Sequence, residues 1–148
     1  MAQLVVTEEG KVGAPAERVY GFIADMRRHH PNFLPPTFSD FRVEEGGYGE
    51  GTVFRTNVTF LGQTRELHMR VAEPQPGRVL TESELHTQMV TTWTIIPQGE
   101  HCTVHLETKW DTSGGIQGVL ERFFSPGMMR RIYRDELARL DRYARQQA

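Results

Sequence analysis

The sequence predicts an α+β fold in which a curved antiparallel sheet of about seven strands wraps around a long C-terminal helix. Three observations carry this expectation. From Phe41 to Trp110 apolar and polar residues alternate in short runs divided by turn-forming residues, the mark of successive hairpins. From Ile116 to Ala144 apolar residues recur at spacings of three and four, the mark of an amphipathic helix. A strand and a helical pair precede both, so the order is strand, two helices, six strands, helix.

Leu4 to Val12 reads as the first strand. Val5 and Val6 favour extended backbone, while Gly10 and Gly13 weaken a helix. Ala14-Pro15-Ala16-Glu17 opens a helix, because proline in a first turn gives up an N–H that had no partner. Val19, Phe22, Ile23 and Met26 continue it at helical spacing. The helix is expected to stop before Pro31, since the residue ahead of a proline avoids helical backbone. A short turn about Asn32 to Leu34 and the pair Pro35-Pro36 then lead towards the sheet.

The six following strands are expected at Phe41 to Glu44, Thr52 to Phe60, Arg65 to Glu73, Arg78 to His86, Gln88 to Ile96 and Cys102 to Trp110. Leu67, Met69 and Val71 alternate with His68 and Arg70. Val104, Leu106, Thr108 and Trp110 alternate with His105, Glu107 and Lys109. Period two with one apolar face describes a sheet covered on one side. His68 and His105 fall on the polar side and are expected to be exposed, and His86 and His101 sit near turns.

The cover is the last segment, Gly115 to Gln146. Ile116, Val119, Leu120, Phe123 and Phe124 begin its apolar stripe; Met129, Ile132, Tyr133, Leu137, Leu140 and Ala144 continue it. Ser125-Pro126-Gly127 interrupts, and Ser125 is suited to cap a new helix with Pro126 in its first turn. Arg130, Arg131, Arg134, Asp135, Arg139, Arg142 and Arg145 form the other face. A solvated surface accounts for them, with an anionic or partner-binding patch as the alternative.

The chain of 148 residues is expected to be one domain, 1–148, large enough for its own core. A net charge of -2 gives no reason to expect nucleic acid as a partner. The single cysteine, Cys102, permits no internal disulfide and suits a reducing compartment. The first residues lack the basic and apolar regions of a signal peptide, and no run has membrane-spanning length. A cytoplasmic location is expected.

Several residue groups invite a chemical reading. Gly46-Gly47-Tyr48-Gly49-Glu50-Gly51 is rich in glycine, but a phosphate cradle needs a helix N-terminus after it, and here a strand follows. A hairpin turn is expected instead. Adjacent His29 and His30 point about 100° apart on a helix and do not face one metal. They are expected at a polar helix end, and neither a metal nor a cofactor is expected. Cys102 is expected to be a packing residue. Glu82 and Glu84 share one strand face and are expected to face water; buried, they would be candidates for acid–base work.

A resemblance covers nearly the whole chain. It rests on Ala14-Pro15-Ala16-Glu17-Arg18-Val19-Tyr20, Asn32-Phe33-Leu34-Pro35, Gly49-Glu50-Gly51-Thr52 and Pro76-Gly77-Arg78-Val79-Leu80. Thr92-Trp93-Thr94-Ile95, Thr103-Val104 and Leu137-Ala138-Arg139-Leu140 complete it. In this order the segments resemble the START-related, helix-grip superfamily, nearest its polyketide cyclase/dehydrase and lipid-transport group. The resemblance implies a hydrophobic pocket under the long helix and supplies no shared catalytic signature.

The expected function is binding or transport of a hydrophobic small molecule, lipid-like, aromatic or polyketide-type. Phe22, Met69, Thr91, Trp93, Leu106, Thr108, Trp110, Phe123, Phe124, Met128 and Tyr133 are the expected ligand-binding residues. Methionine and aromatic side chains make adaptable walls, and Thr91, Thr108 and Tyr133 can orient a ligand. The alternative is a cyclase, aromatase or dehydratase using the same cavity, with Tyr133, Glu82, Glu84 and His86 as candidate ionisable groups. A third reading is an interaction module, and a homodimer through the sheet edge or helix is left open.

Overall fold

A computed structural model of the chain describes residues 3–111 and 125–147. The described strands form one antiparallel sheet: β1 (Gln3–Val12), β2 (Phe38–Glu45), β3 (Val53–Phe60), β4 (Gln63–Gln75), β5 (Val79–Glu84), β6 (Val90–Gln98) and β7 (His101–Asp111). Their spatial order is β1-β7-β6-β5-β4-β3-β2. All strands after β2 are joined as consecutive hairpins, and only β1 crosses, to pair with the last strand. Helices α1 (Ala16–Ala24) and α2 (Pro126–Gln146) and a 3-10 turn (His30–Phe33) complete the described elements. Ile116, Val119, Leu120, Phe123 and Phe124 lie outside the described residues.

Cross-strand register lines up one row of inward side chains over five strands. Val71 stands opposite Glu82, Glu82 opposite Thr91, Thr91 opposite Thr108, and Thr108 opposite Val6. Most of the row is buried, and beside it Trp93 pairs with Leu106 and Ile95 with Val104. Burying each of these large apolar side chains stabilises the fold by about 1.5–3 kcal/mol.

Helix α2 starts where proline and serine allow it. Ser125 is extended and its side chain accepts from the Met128 N–H at 3.4 Å, with Pro126 in the first turn. The helix seats its second half on β1. A Cβ on Gly10 would lie 3.4 Å from the Leu137 Cβ, so glycine permits this close approach. Asp141 accepts from the Gly13 N–H at 2.8 Å and fixes the end of the helix to the end of the strand.

Helix α1 is shorter than its apolar spacing implies. It ends at Ala24, and Met26 belongs to the turn that follows. Asp25 sets the stop: its carboxylate accepts from the N–H groups of Arg27 at 3.2 Å and Arg28 at 2.9 Å, a local alternative to helical bonding. Its backbone is extended and bridges to Tyr48 in the glycine-rich turn between β2 and β3. That turn is a hairpin connection, with Gly46, Gly47, Gly49 and Gly51 all at positive φ.

Candidate functional site

The first half of α2 stands away from β3 to β6 and leaves a cavity of about 60 Å3. Its walls are mostly apolar. Phe54 and Val58 come from β3, Leu67 and Met69 from β4, and Met129 and Ile132 from α2. Leu34 flanks it from the segment before β2, Phe38 and Phe41 from β2, and Met89 from the turn before β6. The methionines at 69, 89 and 129 are unbranched and can move aside for a larger occupant.

One end of the cavity is polar and ionisable. His30, carried by the 3-10 turn, is 2 % exposed. Its Nδ1 lies 2.7 Å from the Ile23 carbonyl, which can only accept, so Nδ1 carries a hydrogen. Its Nε2 faces Glu82 Oε2 at 3.8 Å and Glu136 Oε2 at 3.7 Å. Trp93 meets the imidazole edge-on at 5.6 Å and Phe33 packs at 4.7 Å. The expectation of a polar helix end at His30 is therefore corrected: the chain leaves α1 at Asp25 and turns this side chain inward.

Electrostatics follow from this enclosure. Burial alone would lower the pKa of His30, but Glu136, Glu82 and the Ile23 carbonyl more than offset it and hold the group above its usual value. Burial pushes Glu82 up to about 7, with His30 opposing and Glu136 adding. Glu82 Oε2 and the Trp93 Nε1–H are both buried without a hydrogen-bond partner among the described residues. Tyr133 is raised by burial, and its hydroxyl meets that of Thr108, which lies 2.8 Å from the Thr91 hydroxyl.

The expectation that Glu82 and Glu84 face water is overturned. They are 8 % and 3 % exposed, because they share the inward parity of Leu80. Their roles diverge sharply. Glu84 accepts from the N–H groups of His68, His86 and Thr87 at 2.9, 2.9 and 2.8 Å, and from the Thr87 hydroxyl at 3.1 Å. It ties the β5–β6 turn to β4. Glu82 has no such partners and lines the cavity.

Of the expected ligand-binding residues, Met69, Thr91, Trp93 and Tyr133 line this cavity. Thr108 stands one layer behind, in contact with Thr91 and Tyr133. Leu106, Trp110 and Met128 are buried but are not among the lining residues. Phe22 is buried on α1, edge-on to His29 and Tyr143. Phe123 and Phe124 lie outside the described residues. His30, Glu136 and Phe41 were not expected at the site.

The remaining candidates sit apart. Cys102 is buried and its thiol is pushed up to about 11 by burial, which fits a packing residue. His86 and His101 are exposed; His68 and His105 are half-buried rather than exposed, His68 being 3.0 Å from Glu44 through its Nε2. Among the described residues no group of three His, Cys, Asp or Glu is arranged to hold a metal ion. No described helix is long and apolar enough to cross a membrane.

Comparison with known structures agrees with the architecture. The chain is similar to the KanY protein solved by NMR, at 27 % identity and TM-score 0.85, covering 98 % of this chain and 99 % of that one. It is similar to a protein from Thermus thermophilus at 20 % identity and TM-score 0.79, with 98 % and 99 % covered. It also shares its fold with the Zhui aromatase/cyclase from Streptomyces sp. R1128, at 20 % identity and TM-score 0.72, with 98 % and 95 % covered. No curated protein matches the sequence. The model of the family described as polyketide cyclase/dehydrase and lipid transport matches residues 3–145, and the chain belongs to that family.

Proposed function

We propose that the chain acts as one domain that binds an apolar small molecule, lipid-like, aromatic or polyketide-type, between the sheet and α2. The observation that carries this reading is the cavity itself: apolar walls from β3, β4 and α2, closed at one end by His30, Glu82 and Glu136. A concave apolar site with few convergent polar groups is the usual form of a small-molecule site. Met69, Trp93 and Tyr133 supply contact area, and Thr91 orients the ligand. Because the free space is small, binding moves the methionine walls outward. The low net charge and the lone cysteine support a cytoplasmic role without nucleic acid.

Nile red, a neutral apolar dye, tests this reading. Its fluorescence should rise on mixing with the protein, and Met69→Trp, which fills the cavity, should abolish the rise. Overpacking of this kind costs about 1–3 kcal/mol of stability, so a melting curve accompanies the measurement. Equal dye binding by a folded Met69→Trp variant would refute the cavity as the site.

One observation favours a second reading, a cyclase, aromatase or dehydratase acting on the bound molecule. Glu82, with a pKa near neutrality, and buried Tyr133 line the same cavity as His30. A general acid or base works best when its pKa lies near the operating pH. Turnover of a polyketide-type substrate, lost in Glu82→Gln while binding persists, would establish this version.

A further inference from the structure

The closed end of the cavity holds an uneven set of charges. Two carboxylates, Glu82 and Glu136, face one imidazole, His30, and the lining residues include no lysine or arginine among those described. His30 with its proton balances one carboxylate and leaves the other in excess. Glu82 is the one left over: it is buried, it lines the cavity, and its Oε2, 3.8 Å from His30 Nε2 and influenced by the Trp93 N–H, has no hydrogen-bond partner at normal distance among the described residues. A buried carboxylate without a donor is unfavourable. The protein alone relieves this by keeping Glu82 protonated towards neutral pH, and a ligand that brings a donor and a positive charge would relieve it otherwise.

The surroundings suit that occupant. Phe41 and Trp93 line the cavity together with Glu82 and Glu136, and aromatic rings attract ammonium groups through their faces. An anion meets the reverse: two carboxylates, no lysine or arginine among the described lining residues, and one imidazole, His30, that already faces both carboxylates.

Resting on the ligand-binding reading above, we propose that the site selects a protonated amine carried on an apolar body, with the ammonium donating to Glu82 Oε2, and that it refuses a carboxylate of the same shape. The group that titrates on binding is Glu82, faced by His30 from the 3-10 turn, Glu136 and Tyr133 from α2, and Trp93 from β6. Ammonium binding requires the ionised form of Glu82, so affinity rises as pH increases through about 7.

The test uses three probes of one shape: 2-naphthylmethylammonium, 2-naphthylmethanol and 2-naphthoate, titrated calorimetrically at about pH 8 and about pH 5.5. The ammonium should bind at least about tenfold more tightly than the alcohol at the higher pH, the worth of roughly one buried charge contact. That advantage should shrink at the lower pH, and 2-naphthoate should bind weakest. Glu82→Gln should erase both the advantage of the ammonium over the alcohol and its pH dependence. If the variant does not fold, the pH dependence of the native protein decides alone. A carboxylate that binds as well as the amine, or an amine advantage independent of pH, overturns the proposal. Nile red binding without any naphthyl binding overturns it too and leaves the ligand-binding reading standing; failure of Nile red as well overturns both.

Discussion

Glu82 on the sheet and Glu136 on α2 meet at one atom, Nε2 of His30, at 3.8 and 3.7 Å. Sheet, helix and 3-10 turn are thereby joined at the closed end of the cavity by three ionisable groups. The arrangement makes folding stability depend on pH. Glu82 is raised from an ordinary value of 4.5 to about 7, so over that interval the folded chain binds a proton that the unfolded chain has released. Its contribution is complete below its ordinary value and is lost as pH rises through about 7. His30, also raised, loses its contribution in the same direction at higher pH. Exposed Glu44 and Glu66 are lowered by Arg55 and act in the opposite direction, at more acid pH. Urea unfolding should therefore give a stability lower by on the order of 1–3 kcal/mol at about pH 8 than at about pH 5. Glu82→Gln should flatten that slope; a steeper or reversed slope would contradict the linkage.

Glu84 should behave in the opposite manner to its neighbour two residues away. It accepts three backbone N–H bonds that hold β4 against the β5–β6 turn. Glu84→Ala leaves those donors bare and should cost about 2–4 kcal/mol. Nile red affinity, measured where the variant remains folded, should change little. Loss of dye binding at unchanged stability would show that Glu84 serves the ligand instead.

Much of this architecture is legible in the sequence because it depends on periodicity. Alternation gave the strands within a few residues, and Ser125-Pro126 gave the start of α2. The polar end of the site was partly legible too. Glu136 falls within the apolar stripe between Tyr133 and Leu140, and Glu82 shares parity with Leu80; a charge inside an apolar period is a signal of burial. His30 carried no such signal, because its position follows from the way Asp25 ends α1. Period also cannot tell which inward residues border a hollow. Leu106 and Trp110 are as buried as Trp93, yet of the three Trp93 alone is among the residues that line the cavity.

The β3–β4 hairpin is closed by Leu61 and Gly62, at φ 51° and 76°, with Phe60 opposite Gln63. Two residues at positive φ make the turn that matches strand twist, and asparagine-glycine is the favoured pair. Leucine there is strained and 83 % exposed, so its side chain returns little by packing. Leu61→Asn should raise stability by about 0.5–1 kcal/mol, read as an upward shift of the melting temperature. A lower melting temperature would mean that Leu61 makes a contact worth more than the strain.

Cys102 should resist thiol reagents in the native state. It is fully buried between strands, opposite Val12 and Pro97, and only the thiolate attacks. With a pKa near 11 the thiolate is scarce at neutral pH. Ellman's reagent should label it at the rate of global unfolding, and faster in urea. Rapid labelling without denaturant would contradict a packing role.

Tyr133 tests whether hydroxyl or ring matters to the cavity. Its ring lines the space, while its hydroxyl meets Thr108, itself paired with Thr91 across the β6–β7 register. Tyr133→Phe removes one hydrogen bond and leaves the Thr91–Thr108 pair to satisfy itself, so the cost should be about 0.5–1.5 kcal/mol. Tyr133→Ala also removes the wall and should cost about 3–5 kcal/mol, as for other large buried rings. The two variants should separate in dye binding as well. With the hydroxyl engaged by Thr108, Nile red should bind the Phe variant within about threefold of the native affinity, a difference below 1 kcal/mol. A large loss on Tyr133→Phe would instead mean that the hydroxyl holds the cavity open, by keeping α2 at its distance from the row formed by Glu82, Thr91 and Thr108.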